Sequence, residues 1–308
     1  MNKNSRIFIA GHRGMVGSSI HRALISRGYK NLITVPKSKL NLLSQKDTED
    51  FIESTRPDYI FLVAAKVGGI LANNSFRADF IYENLVVQTN VIGAAYQNKV
   101  KGLCFFGSSC IYPKDCPQPI KEEYLLSGEL EKTNEPYSIA KIAGIKMIES
   151  FNEQYNTSYI SVIPTNLFGP NDNYDLKTAH ALPAMIRKFH EAKKSCAKET
   201  SIWGSGKPLR EFMYVDNISD ACIFLMELGV NHGSYNIGQG EDISILDIAR
   251  TVKKIVGYKG EIVLDESKPD GTFRKLLDVT KLNNLGWKPK IGFEEGINLT
   301  YKDYLSSL

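Results

Sequence analysis

The sequence predicts an α/β fold in which a doubly wound parallel sheet carries a smaller C-terminal α/β domain. Three observations indicate it: short apolar runs alternate with helix-like stretches through the first half of the chain, a glycine-rich turn follows the first apolar run, and the alternation stops near residue 170. Strands that alternate with helices are joined by right-handed crossovers, which produce a parallel sheet. We therefore predict a first domain at residues 1–167 and a second at residues 168–308, some of whose segments return to the first.

Each predicted element depends on a local pattern of apolar and turn residues. The strands are the runs RIFIA, NLITV, YIFLVAA, LCFF and YISVI, at 6–10, 31–35, 59–65, 103–106 and 159–163. The helices are expected from about residue 15 up to Gly28, near 48–54, over 78–99 and over 137–155. Glycine ends the first helix because it readily adopts the left-handed conformation of a C-terminal cap.

Composition argues against several classes of protein. The net charge is +4 and no apolar run approaches the ~20 residues of a membrane span, so we expect neither a nucleic-acid partner nor a membrane partner. The chain begins with polar residues that lead directly into a strand, so no signal peptide is predicted. Five cysteines without a CxxC pair favour free thiols in a reducing cytoplasm over disulfides or a metal site.

The turn after the first strand reads GHRGMVG and has the glycine spacing of a dinucleotide site. Gly11 allows a tight turn, Gly14 lets the backbone approach a pyrophosphate, and Gly17 lets the following helix pack against the strand. The N–H groups at the start of that helix then face the phosphates. The whole turn is predicted to bind the cofactor, through Gly11, His12, Arg13, Gly14, Met15, Val16 and Gly17.

The choice of dinucleotide depends on the end of the second strand. An NAD site of this type usually has an acidic residue there, which bonds the ribose 2′-hydroxyl. This sequence has TVPKSKLN instead, with Lys37, while Arg13 lies in the glycine turn. Positive charge at both places suits a 2′-phosphate, so we predict NADP, used as NADPH, with Lys37 among its ligands. Lys39 is expected to be a solvated surface charge.

A third motif, EPYSIAKIAG, places Tyr137 and Lys141 four residues apart and therefore on one face of a helix. A nearby ammonium is expected to lower the pKa of the Tyr137 phenol and allow it to exchange a proton with a carbonyl oxygen. Ser108 follows the fourth strand and would join them, because strand ends in a parallel sheet line the ligand crevice. The sequence therefore predicts a Ser–Tyr–Lys active site.

Together these residues resemble the Ser–Tyr–Lys triad of the extended short-chain dehydrogenase/reductase family. The resemblance covers nearly the whole chain, through AAKVGGILANN, GSSCIYPK, NEPYSIAKIAGIK, PTNLFGPNDN, WGSGKPLREFMYVD and KPDGTFRKLLDVT. It implies a homodimeric enzyme with a GDP-sugar substrate, which converts GDP-4-keto-6-deoxy-D-mannose into GDP-L-fucose with NADPH. Two epimerisations, at C3 and C5, would precede hydride reduction at C4 in the same site.

The same resemblance implies roles for further residues. Cys110 and His180 would be the base and the acid of the epimerisations, whereas their local patterns alone favour a buried small residue and a polar helix start. The cofactor would also contact Lys141, His180 and the nicotinamide-pocket residues Pro164, Thr165, Asn166 and Leu167. The nucleotide half of the substrate would be bound by Lys188, Trp203, Arg210 and Asp270.

Several alternatives stay open at the level of the sequence. The motifs also suit a GDP-4-keto-6-deoxy-heptose, and a relative can retain only the epimerase or only the C4 reductase activity. A nucleotide-sugar epimerase that holds NAD tightly is disfavoured by Lys37, which stands in place of the acid. A non-catalytic NADP-binding sensor is disfavoured because it has no need for Ser108, Tyr137 and Lys141 together.

Overall fold

The computed structural model describes residues 1–176, 178–268 and 270–308. Lys177 and Pro269, the latter in the last motif quoted above, lie outside the described residues. The strands are β1 Ile7–Ala10, β2 Leu32–Ile33, β3 Tyr59–Leu62, β4 Gly102–Phe106, β5 Tyr159–Pro164, β6 Asn166–Phe168, β7 Glu199–Trp203, β8 Leu209–Arg210, β9 Phe212–Tyr214, β10 Ser234–Ile237, β11 Ile243–Ser244, β12 Glu261–Asp265 and β13 Arg274–Lys275. The helices are α1 Met15–Ser26, α2 Gln45–Thr55, α3 Ile70–Ser75, α4 Arg77–Gln97, α5 Glu135–Tyr155, α6 Ala181–Lys194, α7 Val215–Leu228, α8 Ile245–Val256, α9 Thr280–Asn284 and α10 Phe293–Ser306.

The main sheet is parallel and has the strand order β10–β5–β4–β3–β1–β2. Strands β1, β4 and β5 are buried over nearly their whole length, as expected for strands that are covered on both faces. The chain leaves β1 for β2 on one side and returns to β3 on the other, so the strand order reverses between β1 and β3. Ligands of open α/β sheets bind at such a point, outside the carboxyl ends of the strands. The predicted doubly wound, Rossmann-type fold is confirmed.

The third strand is shorter than its apolar run. The sequence predicts a strand over 59–65, whereas β3 ends at Leu62. The N–H groups of Val63 and Ala64 both donate to Ala10 O, at 3.1 and 2.8 Å. Because both N–H groups bond the same carbonyl oxygen, the regular hydrogen-bond ladder of the strand ends there. The chain then folds over the end of β1, against the glycine turn.

The second strand and second helix also differ in extent from the sequence prediction. β2 pairs with β1 over two residues only, rather than over 31–35. α2 begins at Gln45 rather than near residue 48, because the Ser44 side chain accepts a hydrogen bond from Asp47 N at 3.2 Å. Such a cap satisfies a first-turn N–H group that has no partner within the helix.

Helices cover both faces of the main sheet. On one face α1 packs against α7, and the apolar cluster beneath them includes Leu24 and Ile218. On the other face α2, α4 and α5 pack over a second cluster that includes Ile92 and Ile145. The sheet is therefore the middle of three layers.

A third apolar cluster lies in the C-terminal half, where α6, α8 and α10 pack against one another and against β7 and β9. Phe189, Val252 and Ile297 are buried in it. The C-terminal half also supplies β10, at the edge of the main sheet, and α7, on one of its faces. The division of the chain into domains at 167/168 stays a prediction.

Membrane-spanning and metal-binding features are absent from the described part of the chain. No helix there has both the length and the apolar content to cross a bilayer. No group of three or more His, Cys, Asp or Glu side chains in those residues is arranged to hold a metal ion. The five cysteines, all of which are described, are free thiols.

Candidate active site

The glycine turn is closed by close backbone approaches. Gly11 has φ +94°, a left-handed conformation that favours glycine, and an added Cβ would lie 2.9 Å from Ala64 N. Gly17 is buried, and a Cβ there would lie 2.7 Å from the Gly11 carbonyl carbon and 2.9 Å from His12 Cα. α1 therefore begins directly against the turn. A side chain at Gly11 or Gly17 would push the backbone segments that meet there apart.

The N-terminus of α1 suits an anionic group. Gly14 caps the helix without a side-chain hydrogen bond, and no acidic residue occupies the first turn. The N–H groups of a first turn have no partners within the helix, so they are available to a phosphate. An added Cβ at Gly14 would meet only Gly11 O, at 3.6 Å, so the backbone is open to a ligand on that side. The residues present therefore fit the predicted pyrophosphate cradle.

The two cationic residues predicted to select NADP lie at the same edge of the sheet. β1 and β2 pair in parallel, with Phe8 opposite Ile33, so the turns after both strands lie at the carboxyl edge. Arg13 and Lys37 are exposed in those turns, and so is Lys39. Their side chains are accessible to a phosphate on the cofactor ribose.

Ser108 and Tyr137 meet just beyond the end of β4. The half-buried Ser108 Oγ accepts from Cys110 N at 3.4 Å and shares a hydrogen bond with the Tyr137 hydroxyl. The ring of Phe80 packs edge-on against that of Tyr137, with centroids 6.3 Å apart. Burial raises the pKa of Tyr137 above its usual value, nearby Cys110 adds to the rise, and the hydrogen bond with Ser108 opposes it. At neutral pH the phenol is therefore a proton donor.

Lys141 is buried on the same helix, with 3% of its surface exposed. Its Nζ donates to Phe106 O at 2.7 Å and lies 5.9 Å from the centroid of the Tyr137 ring. Burial lowers the pKa of Lys141 to about 7, so near neutral pH its charged and neutral forms are both present. The sequence predicts that this ammonium lowers the pKa of Tyr137. In this structure the pKa of Tyr137 is raised instead, and burial is the largest cause of the rise.

His180 occupies the N-cap position of α6 and remains accessible. The protein around its imidazole removes part of its hydration and lowers its pKa. A contact between two loops brings this segment toward the end of β3, since Gly69 N donates to Thr178 O at 3.4 Å. Gly68 in turn faces Phe80, whose ring contacts the tyrosine of the triad; an added Cβ at Gly68 would lie 3.2 Å from Phe80 Cζ. The structure thus gathers Ser108 with the tyrosine and lysine, and contacts through Gly69, Gly68 and Phe80 link the segment before His180 to the same tyrosine.

The predicted nicotinamide-pocket residues, 164–167, run from the end of β5 into β6. Thr165 is buried and its Oγ1 donates to Glu211 O at 3.0 Å, while Asn166 Nδ2 donates to the same carbonyl oxygen at 2.9 Å. Pro164 and Leu167 are half-buried. Sequence reasoning did not single out Glu211. The available signal was a carboxylate directly before the apolar run FMYV.

The exposed members of the predicted substrate set lie at the ends of β7 and β12. Trp203 is 68% exposed, and Lys268 Nζ lies 5.9 Å from the centroid of its ring. The Asp270 carboxylate accepts from Ser205 N at 2.9 Å and from Ser205 Oγ at 2.6 Å. These bonds hold the loop after β12 against the turn that follows the tryptophan.

The two cations of the predicted substrate set are half-buried and donate to backbone carbonyls. Lys188 Nζ donates to Ser201 O at 2.6 Å, and Arg210 Nη1 donates to Leu209 O at 2.7 Å. Burial lowers the pKa of both groups, while a nearby carboxylate acts in the opposite direction on each. Desolvated cations of this kind bind phosphate oxygens strongly. The structure therefore brings the four predicted substrate residues to one region, around β7 and β8.

Comparison with known proteins gives the family. Residues 7–238 match the NAD dependent epimerase/dehydratase family. A GDP-L-fucose synthase of Escherichia coli K12 is 51% identical, and the match covers 98% of this chain and 97% of that protein. GDP-L-fucose synthase 1 of Arabidopsis thaliana is 50% identical, and the match covers 100% of this chain and 95% of that protein. Among solved structures, a GDP-mannoheptose C4 reductase from Campylobacter jejuni with NADP bound is similar, with a TM-score of 0.91, 40% identity and 99% of both chains covered. The chain belongs to the NAD dependent epimerase/dehydratase family, the extended short-chain dehydrogenase/reductases.

Proposed function

We propose that this chain is an NADPH-dependent epimerase/reductase that converts GDP-4-keto-6-deoxy-D-mannose into GDP-L-fucose. The observation that carries the proposal is the cluster of Ser108, Cys110, Tyr137 and Lys141 beyond the end of β4. Full-length identity of 50–51% to two GDP-L-fucose synthases favours this activity over others of the family. A cytoplasmic location is part of the proposal, since the five cysteines are free thiols.

NADPH, when bound, supplies the hydride for the reduction. The glycine turn and the first turn of α1 would hold its pyrophosphate, and Arg13 with Lys37 would hold its 2′-phosphate. Lys141, His180 and residues 164–167 would lie at the nicotinamide end. The open side of Gly14 and the exposure of both cations support this arrangement.

Epimerisation uses the acidity of the protons next to the C4 carbonyl. Cys110 would remove a proton from C3 or C5 on one face of the ring, and His180 would return a proton on the opposite face. The enolate oxygen formed between these steps would accept hydrogen bonds from Ser108 and Tyr137. Each cycle replaces one proton and inverts one carbon, so it consumes no reductant.

Reduction adds a hydride to C4 and a proton to its oxygen. Tyr137 would donate that proton, and its raised pKa keeps it protonated at neutral pH, as a donor must be. Lys141, with a pKa of about 7, can return a proton to the phenolate that remains. The product is the C4 alcohol, and the oxidised cofactor then leaves.

The nucleotide half of the substrate would bind around β7 and β8. Lys188 and Arg210 would meet the diphosphate, because both are partly desolvated cations. Trp203 offers an exposed aromatic face for the base, and Asp270 offers a carboxylate for hydroxyl or amine donors.

Product analysis by NMR tests the proposed function. With GDP-4-keto-6-deoxy-D-mannose and NADPH we expect GDP-L-fucose and one NADPH oxidised per product. In D2O without NADPH we expect deuterium at C3 and C5 and no reduction. Product lacking inversion at C3 and C5 would contradict the epimerase half, and no NADPH oxidation would contradict the reductase half.

A C4 reductase acting on a GDP-4-keto-6-deoxy-heptose is the second candidate. The similarity to the GDP-mannoheptose C4 reductase of Campylobacter jejuni favours it. The same assay with the heptose substrate separates the two functions. Faster reduction of the heptose, without deuterium uptake from D2O, would assign this second function and overturn the first.

We also propose that the chain forms a homodimer. The outer surfaces of α4 and α5 support it, because large apolar side chains are exposed there: Tyr82, Tyr96, Ile139 and Tyr155, at 65, 36, 42 and 43%. The rings of Tyr96 and Tyr155 stack with centroids 4.3 Å apart, which forms a flat aromatic surface suited to a second copy of the same chain. Light scattering should give twice the chain mass, and Tyr155→Glu should give monomers; a monomeric wild-type protein would contradict this part.

A further inference from the structure

Glu211 lies between β8 and β9 and is completely buried, with 0% of its surface exposed. Its Oε1 accepts from Gly240 N at 2.8 Å and its Oε2 accepts from Leu277 N at 3.1 Å. These partners belong to the loop after β10 and to the segment after β13. A buried carboxylate is costly unless its oxygens are hydrogen-bonded, and here backbone N–H groups of two distant segments bond it.

The backbone of the same residue connects the two predicted ligand regions. Its carbonyl oxygen accepts from Thr165 Oγ1 and Asn166 Nδ2, on the nicotinamide side. The residue before it is Arg210, on the side of the substrate diphosphate. Glu211 thus joins both sides through its main chain, and its carboxylate locks that main chain to two further segments.

The space around the carboxylate leaves little freedom. A Cβ added at Gly238 would collide with the Glu211 carboxylate, lying 2.7 Å from Cδ and 2.9 Å from Oε2. The carboxylate therefore has one position, set by hydrogen bonds on one side and by the bare backbone of Gly238 on the other.

We propose that Glu211 is a positioning residue that holds the nicotinamide-side residues 165–166 and the substrate-side Arg210 at a fixed separation, so that hydride transfer depends on it more than proton exchange does. The inference rests on the proposed function. Hydride transfer requires the cofactor and the sugar to be held at the right distance, and a displacement of 1 Å can cost about a hundredfold in rate. Proton exchange at C3 and C5 uses Cys110 and His180 and does not require the nicotinamide.

Glu211→Gln tests the inference, because the amide keeps the shape but turns its NH2 group toward an N–H partner. At saturating substrate we expect reduction at C4 to fall by about a hundredfold, while deuterium uptake at C3 and C5 stays near the wild-type rate. Gly238→Ala is the second variant; it displaces the carboxylate without removing it and should change the ratio of the two rates in the same direction.

Asn217→Ala is the matched control. Asn217 is also buried, and its side chain bonds Lys290 N, Ile291 N and Ile291 O, which are not part of the predicted site. It should lower the melting temperature while leaving the ratio of reduction to exchange unchanged. A purely structural role for Glu211 would give this same pattern, with both rates falling by one factor, and would overturn the inference.

Binding measurements keep the inference testable if the proposed function fails. Calorimetry with GDP on NADP⁺-loaded protein should show binding about tenfold weaker in Glu211→Gln, since displacement of Arg210 weakens a charge-assisted bond. Wild-type protein that neither exchanges protons nor oxidises NADPH would refute the proposed function alone. GDP affinity equal to wild type in Glu211→Gln, together with an unchanged rate ratio where rates exist, would refute the inference.

Discussion

Replacing Lys141 by methionine should stabilise the ligand-free protein while removing C4 reduction. The structure gives Lys141 a pKa of about 7, against an ordinary value of 10.5, because burial disfavours its charged form. The unfolded chain therefore binds a proton at this group more tightly than the folded chain does. Between pH 10.5 and 7 this difference lowers the free energy of unfolding progressively as pH falls, and below pH 7 the loss is complete.

The size of the effect follows from that gap. A gap of about 3.5 pH units corresponds to about 5 kcal/mol of lost stability below pH 7. Methionine removes this penalty, but it also removes the hydrogen bond to Phe106 O, which costs about 1–3 kcal/mol. The net gain at pH 6 should be roughly 2–4 kcal/mol, or about 4–8 °C in melting temperature for a chain of this size.

The dependence on pH distinguishes this cause from better packing. At pH 9 the remaining penalty is about 2 kcal/mol, which the lost hydrogen bond offsets, so the gain should nearly vanish. Thermal unfolding followed by circular dichroism at pH 6 and pH 9 measures both values. Lys146→Met on the same helix is the control, because Lys146 is exposed and paired with Glu149, and it should give no gain at either pH.

Two results would refute the reasoning. A melting temperature at pH 6 below that of the wild type would mean that the hydrogen bond to Phe106 O outweighs the buried charge. A gain of equal size at pH 6 and pH 9 would mean that packing, and not the pKa of Lys141, causes it.

Three further predictions concern the chemistry. Tyr137→Phe removes the proton donor and keeps the ring, so C4 reduction should fall by at least about a hundredfold with NADPH affinity in fluorescence titrations unchanged; near wild-type reduction would remove Tyr137 from the mechanism. Cys110→Ser should abolish deuterium uptake at C3 and C5 in D2O, and His180→Gln should slow it. Full uptake in Cys110→Ser would mean that Cys110 only fills space. NADPH should be preferred over NADH in kcat/KM, and Lys37→Ala should lower the value for NADPH about tenfold without changing that for NADH; a wild-type preference for NADH would contradict the assignment of Arg13 and Lys37.

Much of the fold could be predicted because its signals are local. Apolar runs bounded by turn residues define β1, β4 and β5, and α1 ends close to Gly28, as its pattern indicates. The glycine turn is readable for the same reason, since Gly11, Gly14 and Gly17 act within seven consecutive residues. The sequence also predicts that Ser108 lies at the ligand crevice, because the order of strands implies a parallel sheet and parallel strands end at one edge; that role stays a prediction.

Tertiary structure alone decided the properties that depend on distant segments. β3 stops at Leu62 because Ala10, more than fifty residues earlier, takes the next two N–H groups. The pKa of Tyr137 is raised rather than lowered because its phenol is buried, which no local pattern reveals. Glu211 stands in a run that resembles an ordinary strand, and its bonds go to the backbone of Gly240 and Leu277. Chain order specifies which residues are neighbours along a strand or helix, whereas desolvation and long-range hydrogen bonds exist only once the chain has packed.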